Sequence, residues 1–297
     1  MKRSDLLLGL FVTLLWGANF SVIKLGLATV DPFLLTALRF LFCALPAIWL
    51  LPRPALPLWV PASYGLLFGL GLWGAVNFAI HIGLSAGLAS LVLQSSAIFT
   101  VLLAARLFGE RVAPSQWFGI ALATGGLLVI IASTQGRLSL AGTLLVVFAA
   151  LCWSICMLLV RRHRPEDMLA FVVWSGAFAV VPLFALTWLV KGAAPFVALV
   201  HDANAGTVFS VAYQAYVVTL FGYAAWNRLV GRYPASTVAP LSLMVPVTGL
   251  LVAWLAYGEE IGGGKLAGAL VVLAGLAVYS LARRWPARWV PAVRREA

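Results

Sequence analysis

Ten runs of roughly 20 mostly apolar residues follow one another along this chain, and most of the turns between them are tight. They lie near residues 6–27, 33–51, 62–83, 87–108, 115–132, 140–160, 168–190, 207–230, 235–258 and 265–282. A helix satisfies its own backbone and crosses a hydrocarbon layer about 30 Å thick in that many residues. With 63% hydrophobic and 10% charged residues, the chain has too little polar surface to cover a water-soluble globule of 297 residues. The runs are continuous, unlike the short alternating segments of a membrane β-barrel. The expectation is therefore an all-α membrane protein with ten transmembrane helices. Met1, Lys2 and Arg3 open an apolar run with no good small-residue cleavage site behind it, which reads as an uncleaved first helix rather than a secretory signal.

The net charge of +11 invites a nucleic-acid reading, but its placement removes it. With a cytoplasmic N-terminus, Lys2, Arg3, Arg53, Arg106, Arg111, Arg161, Arg162, Arg164, Arg228, Arg232, Arg283, Arg284, Arg288, Arg294 and Arg295 fall on the cytoplasmic side. Lys24, Arg137, Lys191 and Lys265 fall on the other. That asymmetry is the positive-inside signal for ten spans with both termini in the cytoplasm.

The chain also repeats itself about 149 residues on: Ala86, Leu102, Ala104, Gly109, Glu110, Gly119, Gly126, Leu127 and Val129 recur as the same residue. Trp16 and Lys24 match Trp153 and Arg161 at a shorter offset, and Asp31 and Pro46 match Asp167 and Pro182, with segment 191–206 absorbing the difference. The expected units are residues 1–134 and 135–284, each a five-helix repeat, followed by a basic cytoplasmic tail at 285–297. Five is odd, so the second repeat enters the membrane in the opposite sense. Inverted repeats are the usual substrate of alternating access, and transport becomes the leading class.

The motifs Trp16-Gly17-x-Asn19-Phe20, Arg39-Phe40, Leu107-Phe108-Gly109-Glu110 and Ala256-Tyr257-Gly258-Glu259 resemble the drug/metabolite transporter superfamily, in its EamA-type branch. The resemblance covers nearly the whole chain. It implies a ten-helix exporter of a bacterial inner membrane, and the segments 87–94 and 238–243 look most like bacterial exporters of amino acids and their derivatives, including cysteine, O-acetylserine and aromatic amino acids. One departure is Ala97, where the family often has proline; the second half keeps Pro246.

Recognition must fall to the few polar residues inside the spans. Trp73, Asn77 and His81 recur every four residues, and Tyr213, Tyr216, Leu220, Tyr223 and Asn227 form a second stripe at helical spacing. With one residue of slip, Trp73-x-x-x-Asn77 superposes on Tyr223-x-x-x-Asn227. Ser90, Gln94 and Ala97 share a face, and Trp16 neighbours Asn19; Trp153 is another deep tryptophan. An amino-acid zwitterion needs donors, acceptors and an apolar wall. Asn19, Asn77, Gln94 and Asn227 supply both polar functions, with Trp16, Trp73, His81, Trp153, Tyr216 and Tyr223 completing the candidate binding set. Each amide equally suits an interhelical link, and His81 suits either a link or a proton relay.

Arg39 lies about two turns into the second helix, where a guanidinium costs about 2.5 to 3.5 kcal/mol unless it snorkels or finds a partner. It reads as a structural charge tied to backbone carbonyls and Asp31, with a substrate carboxylate as the competing partner. Pro46, Pro182, Pro240 and Pro246 are candidate hinges. Cys43, Cys152 and Cys156 read as packing residues.

All nine acidic residues fall in loops, termini or helix ends, which argues against coupling through a buried carboxylate and for facilitated export or for coupling that uses His81. The rival within transport is a proton-coupled exporter of drugs or lipid-like amphiphiles. No zincin motif, paired aspartates, Gly-x-Ser-x-Gly or phosphate loop supports an enzyme, a metal site or a cofactor. The expected partners are small metabolites and the lipid bilayer, with the chain acting as a monomer.

Overall fold

The computed structural model describes residues 1–108, 114–133, 137–233, 241–242, 244–259 and 262–282, and over them the ordered elements are all helical. In chain order these are α1 Arg3–Gly26, α2 Pro32–Ile48, α3 Trp59–His81, α4 Ala86–Leu107, α5 Pro114–Ala132 and α6 Arg137–His163. They continue with α7 Met168–Lys191, α8 Ala194–Asp202, α9 at 205–232, α10 Met244–Tyr257 and α11 Gly263–Ala282. Six of these, α1, α3, α4, α6, α7 and α9, are long and apolar enough to cross a membrane, and α2, α5, α10 and α11 contain shorter apolar helices. The chain is a multi-pass membrane protein.

Local chemistry sets the ends of these helices. Asp31 caps α2 by accepting from Phe33 N and Leu34 N at 2.9 and 3.2 Å, with Pro32 opening the helix behind it. Asp167 caps α7 in the same way, accepting from Leu169 N and Ala170 N at 2.8 and 3.0 Å. Asn204 and Thr207 form a capping box at the start of α9. Gly192 closes α7 and Gly258 follows α10, both at positive φ, where a Cβ would be strained. The segment expected as a long connection holds a short helix, α8, whose Phe196 packs on Phe184 and Trp188 of α7.

Three of the described helices change winding in mid-span. Residues Leu67–Gly74 of α3 and Tyr213–Phe221 of α9 are π-helical, and Leu93–Ser95 of α4 is a 3-10 turn. A π segment shifts the angular position of every residue beyond it, so stripes drawn at 3.6 residues per turn fail across it.

The bundle is apolar outside and carries its polar residues inside, as lipid demands. Leu7, Phe118, Val181, Leu251 and Leu270 face outward, while Asn19, Arg39, Asn77, Ser154 and Gln214 are buried. α2 packs on α7, α1 on α10, α3 on α6 and α7, α9 on α1 and α2, and α4 on α6 and α10. The closest pairing joins α5 to α11 through glycine faces: a methyl on Gly126 would stand 2.6 Å from Val272 N, and one on Gly268 2.8 Å from Gly126 O.

Candidate functional site

Where α1, α2, α3, α6 and α9 converge, aromatic rings form a connected wall. Trp16 packs at a tilt against Tyr223 at 5.4 Å and against Trp226 at 5.1 Å. Tyr223 meets Phe68 at 5.9 Å, and Phe68 meets Trp153 at 5.6 Å and Tyr64 at 5.3 Å. Phe20 and Trp73 form a separate pair at 6.1 Å, tied to the wall through Arg39 and through Phe40, whose ring is 5.4 Å from Phe68. Trp16 also donates Nε1–H to Val218 O at 3.2 Å, a carbonyl within the π segment of α9.

The polar members sit beside this wall. Arg39 is fully buried; its Nε and Nη2 both donate to Thr219 Oγ1 at 3.2 Å, and its guanidinium carbon lies 4.0 Å from the Trp73 ring centre. Thr219 in turn donates to Gln214 O at 2.7 Å. Asn77 Nδ2 donates to Thr36 Oγ1 at 2.8 Å and reaches Pro32 O at 3.5 Å. Gln94, in the 3-10 turn of α4, donates from Nε2 to Ser242 O at 3.4 Å, linking that turn to a second 3-10 stretch at 241–242. Asn19 is buried with neither side-chain atom hydrogen-bonded, and Asn77 Oδ1, Trp73 Nε1, Arg39 Nη1 and Gln214 Oε1 are likewise without partners.

Of the residues expected at the site, Trp16, Trp153 and Tyr223 join through the ring contacts, and Trp73 reaches them through Arg39, which lies between it and Phe40. Asn77 faces α2 with Trp73, Gln94 bridges to residue 242, and Asn19 is buried in α1. Tyr216 does not join them: the π winding of α9 leaves it 42% exposed. His81 is exposed against Phe78, because successive steps of four residues drift by about 40° each and carry it off the face of Trp73 and Asn77. The side chains of Asn227 and Pro46 and the whole of Pro240 lie outside the described residues.

Two structural expectations are also corrected. Asp31 does not hold Arg39; it is committed to the α2 cap and to Lys191, whose Nζ lies 2.6 Å from Oδ2. Pro246 occupies the first turn of α10 as described, where a missing N–H breaks no intrahelical bond, whereas Pro182 does lie inside α7. Cys43, Cys152 and Cys156 are buried free thiols. Phe20, Phe68 and Thr219 are central residues the sequence reading missed, since nothing in an apolar run distinguishes an inward phenylalanine from a lipid-facing one.

Charged latches lie at both ends of α1. At one end Lys24 Nζ is 2.6 Å from Glu259 Oε1, and Tyr257 OH donates to Ser21 O at 2.9 Å. At the other, Tyr233 OH donates to Asp5 Oδ2 at 2.7 Å.

The sequence profile of the EamA-like transporter family matches residues 3–132 and 140–281. A protein of Salmonella typhimurium described as a probable amino-acid metabolite efflux pump is 42% identical over 93% of this chain and 94% of its own length. An Escherichia coli protein of the same description is 39% identical over 96% of this chain and 97% of its own. A probable terminal-alkyne amino-acid exporter of Streptantibioticus cattleyicolor is 30% identical over 69% of this chain and 65% of its own. One solved crystal structure, 22% identical, superposes with a TM-score of 0.64 over 97% of this chain and all of that one, a likeness of fold.

Proposed function

The chain belongs to the EamA-like transporter family, and from that premise we propose that it is an inner-membrane exporter of amino acids and related small metabolites. The two amino-acid metabolite efflux relatives, alike over nearly their full lengths, support the substrate class. The observation that carries the mechanism is a set of contacts that survive exchange of the two halves. At the 149-residue offset Gly119 and Ala123 correspond to Gly268 and Val272, and Gly126 to Gly275. Gly126 abuts Gly268 and Val272, while Gly275 abuts Gly119 and Ala123. This is the reciprocity expected across a pseudo-two-fold axis.

The same exchange relates α1 against α10 to α6 against α4. Gly17 lies against Val245 O, and its counterpart Ser154 donates to Ser96 O at 2.8 Å. The π segments of α3 and α9 occupy matching places, as do the 3-10 stretches of α4 and 241–242. These pairings support ten spans in two inverted five-helix repeats, 1–134 and 135–284, and the charge asymmetry of the sequence supports both termini as cytoplasmic, with 285–297 as a basic tail. Broken helices meeting at the repeat interface are the usual setting of a transporter's central site. Trp16, Asn19, Trp73, Asn77, Gln94, Trp153 and Tyr223 line it in this reading. Alternating access opens it to either side, with flexing at Pro182.

Reconstituted liposomes test the proposal. Preloaded protein accelerates counterflow of at least one labelled amino acid, and Asn77→Ala and Gln94→Ala slow it tenfold or more while remaining folded. Export is facilitative in this reading, so an imposed pH gradient leaves the initial rate unchanged. Acceleration by the gradient that disappears in His81→Ala would instead establish proton coupling. The drug or amphiphile alternative has no comparable support; transport of hydrophobic cations with no amino acid carried would favour it.

A further inference from the structure

Arg39 is held on one side only. Nε and Nη2 share Thr219 Oγ1, whereas Nη1 is buried and has no acceptor. Among the described residues no ion pair reaches the guanidinium, and Asp31, at the start of the same helix, is occupied by its cap and by Lys191. The Trp73 ring lies 4.0 Å from the guanidinium carbon, and its Nε1–H is also buried without an acceptor. Two donors on groups in contact, one of them fully charged, thus face no acceptor within the protein.

A helix clamp accounts for the Thr219 bonds and the stacking. It does not account for a desolvated cation left without counter-charge, because buried charges are ordinarily paired and buried donors ordinarily satisfied. A carboxylate is the group that answers both donors at once, since its two oxygens accept from a guanidinium and a neighbouring N–H.

We propose that Arg39 and Trp73 form the anchor for the carboxylate of the transported molecule, an inference that rests on the export reading above and names the recognition element of its site. Asn77 Oδ1 and Gln214 Oε1 are buried acceptors without donors. They lie about one helical turn from Trp73 on α3 and from Thr219 on α9, and they suit an ammonium group. Phe20, against the Trp73 ring, and Phe40, which lies 5.6 Å from the guanidinium carbon and packs on Phe68, supply apolar walls beside the anchor. The substrate class is then a zwitterionic amino acid with a free carboxylate, and esters, amides and decarboxylated amines are rejected. Arg39 is fully enclosed, so loading requires the surrounding helices to part.

The test is binding to the detergent-solubilised full chain, read from ligand-dependent melting temperature. L-Phenylalanine, L-leucine and L-cysteine are each compared with their carboxamides, which keep the ammonium and side chain but not the charge. At least one acid binds the wild type with an apparent Kd about tenfold or more below that of its amide, and Arg39→Gln brings the two within about twofold. Arg39→Lys restores part of the preference, and Trp73→Phe, which keeps an aromatic face but loses the N–H, reduces it several-fold. Where Arg39→Gln does not fold, the lysine and Trp73→Phe variants carry the comparison. An acid preference unchanged in these variants, or no preference in the wild type, overturns the anchor. Acid-selective binding by a wild type that carries no amino acid across liposomes would overturn the export reading and leave the anchor standing.

Discussion

Trp16 illustrates what a single side chain does in this bundle. Its indole fills the space between α1 and α9 against Tyr223 and Trp226, while Nε1–H satisfies Val218 O. Trp16→Phe keeps most of the apolar contact and removes the donor. The expected loss is about 1 kcal/mol of stability, seen as a lower melting temperature in detergent, with the protein still folded. An unchanged melting temperature would show that the carbonyl is satisfied some other way. The sequence marks Trp16 as a deep tryptophan, but its hydrogen bond depends on a winding change some 200 residues away, which no local pattern encodes. Arg39 was visible as an intramembrane charge for the same reason that makes it costly. Its partner was not visible, because sequence proximity favours Asp31 and the fold supplies Thr219.

Two kinds of helix feature carry the architecture: the π segments, which reset which residues share a face, and the glycine faces, which set how closely axes approach. Tyr216 and His81 left the site through the first kind of effect and through ordinary angular drift respectively. Glycine pairs were legible as a repeat, while their mutual contact was not. The α5–α11 pairing gives a sharp comparison, since Gly125 and Gly126 are adjacent. A Cβ on Gly125 meets nothing within 4 Å, whereas one on Gly126 meets the backbone of α11. Gly126→Leu is expected to cost about 1–3 kcal/mol or more and to reduce the monodisperse fraction on size exclusion; Gly125→Leu leaves both yield and melting temperature near wild type. Equal behaviour of the two variants would mean that the close packing of α5 and α11 does not support the fold.

At the scale of the molecule, α1 is latched to the second half at both ends, through Lys24 and Glu259 at one and through Asp5 and Tyr233 at the other. If the halves rock about a central site, the latches must release in alternation. A Lys24→Cys/Glu259→Cys protein bridged by a short bis-methanethiosulfonate, which joins the two thiols through disulfides, should lose transport, and reduction should restore it; the native cysteines are buried and interfere little. Transport that continues through the bridge would exclude opening at that end. The sequence by itself determined the solvent, the helical class, the repeat and the transporter family, because these follow from apolar run length and from residues recurring at a fixed period. Only the tertiary structure decided which polar atoms share an interior and which are left unsatisfied there. Those outcomes depend on helix rotation and on winding changes, and a rotation of one residue's worth turns an inward side chain toward lipid without changing the hydropathy of the run.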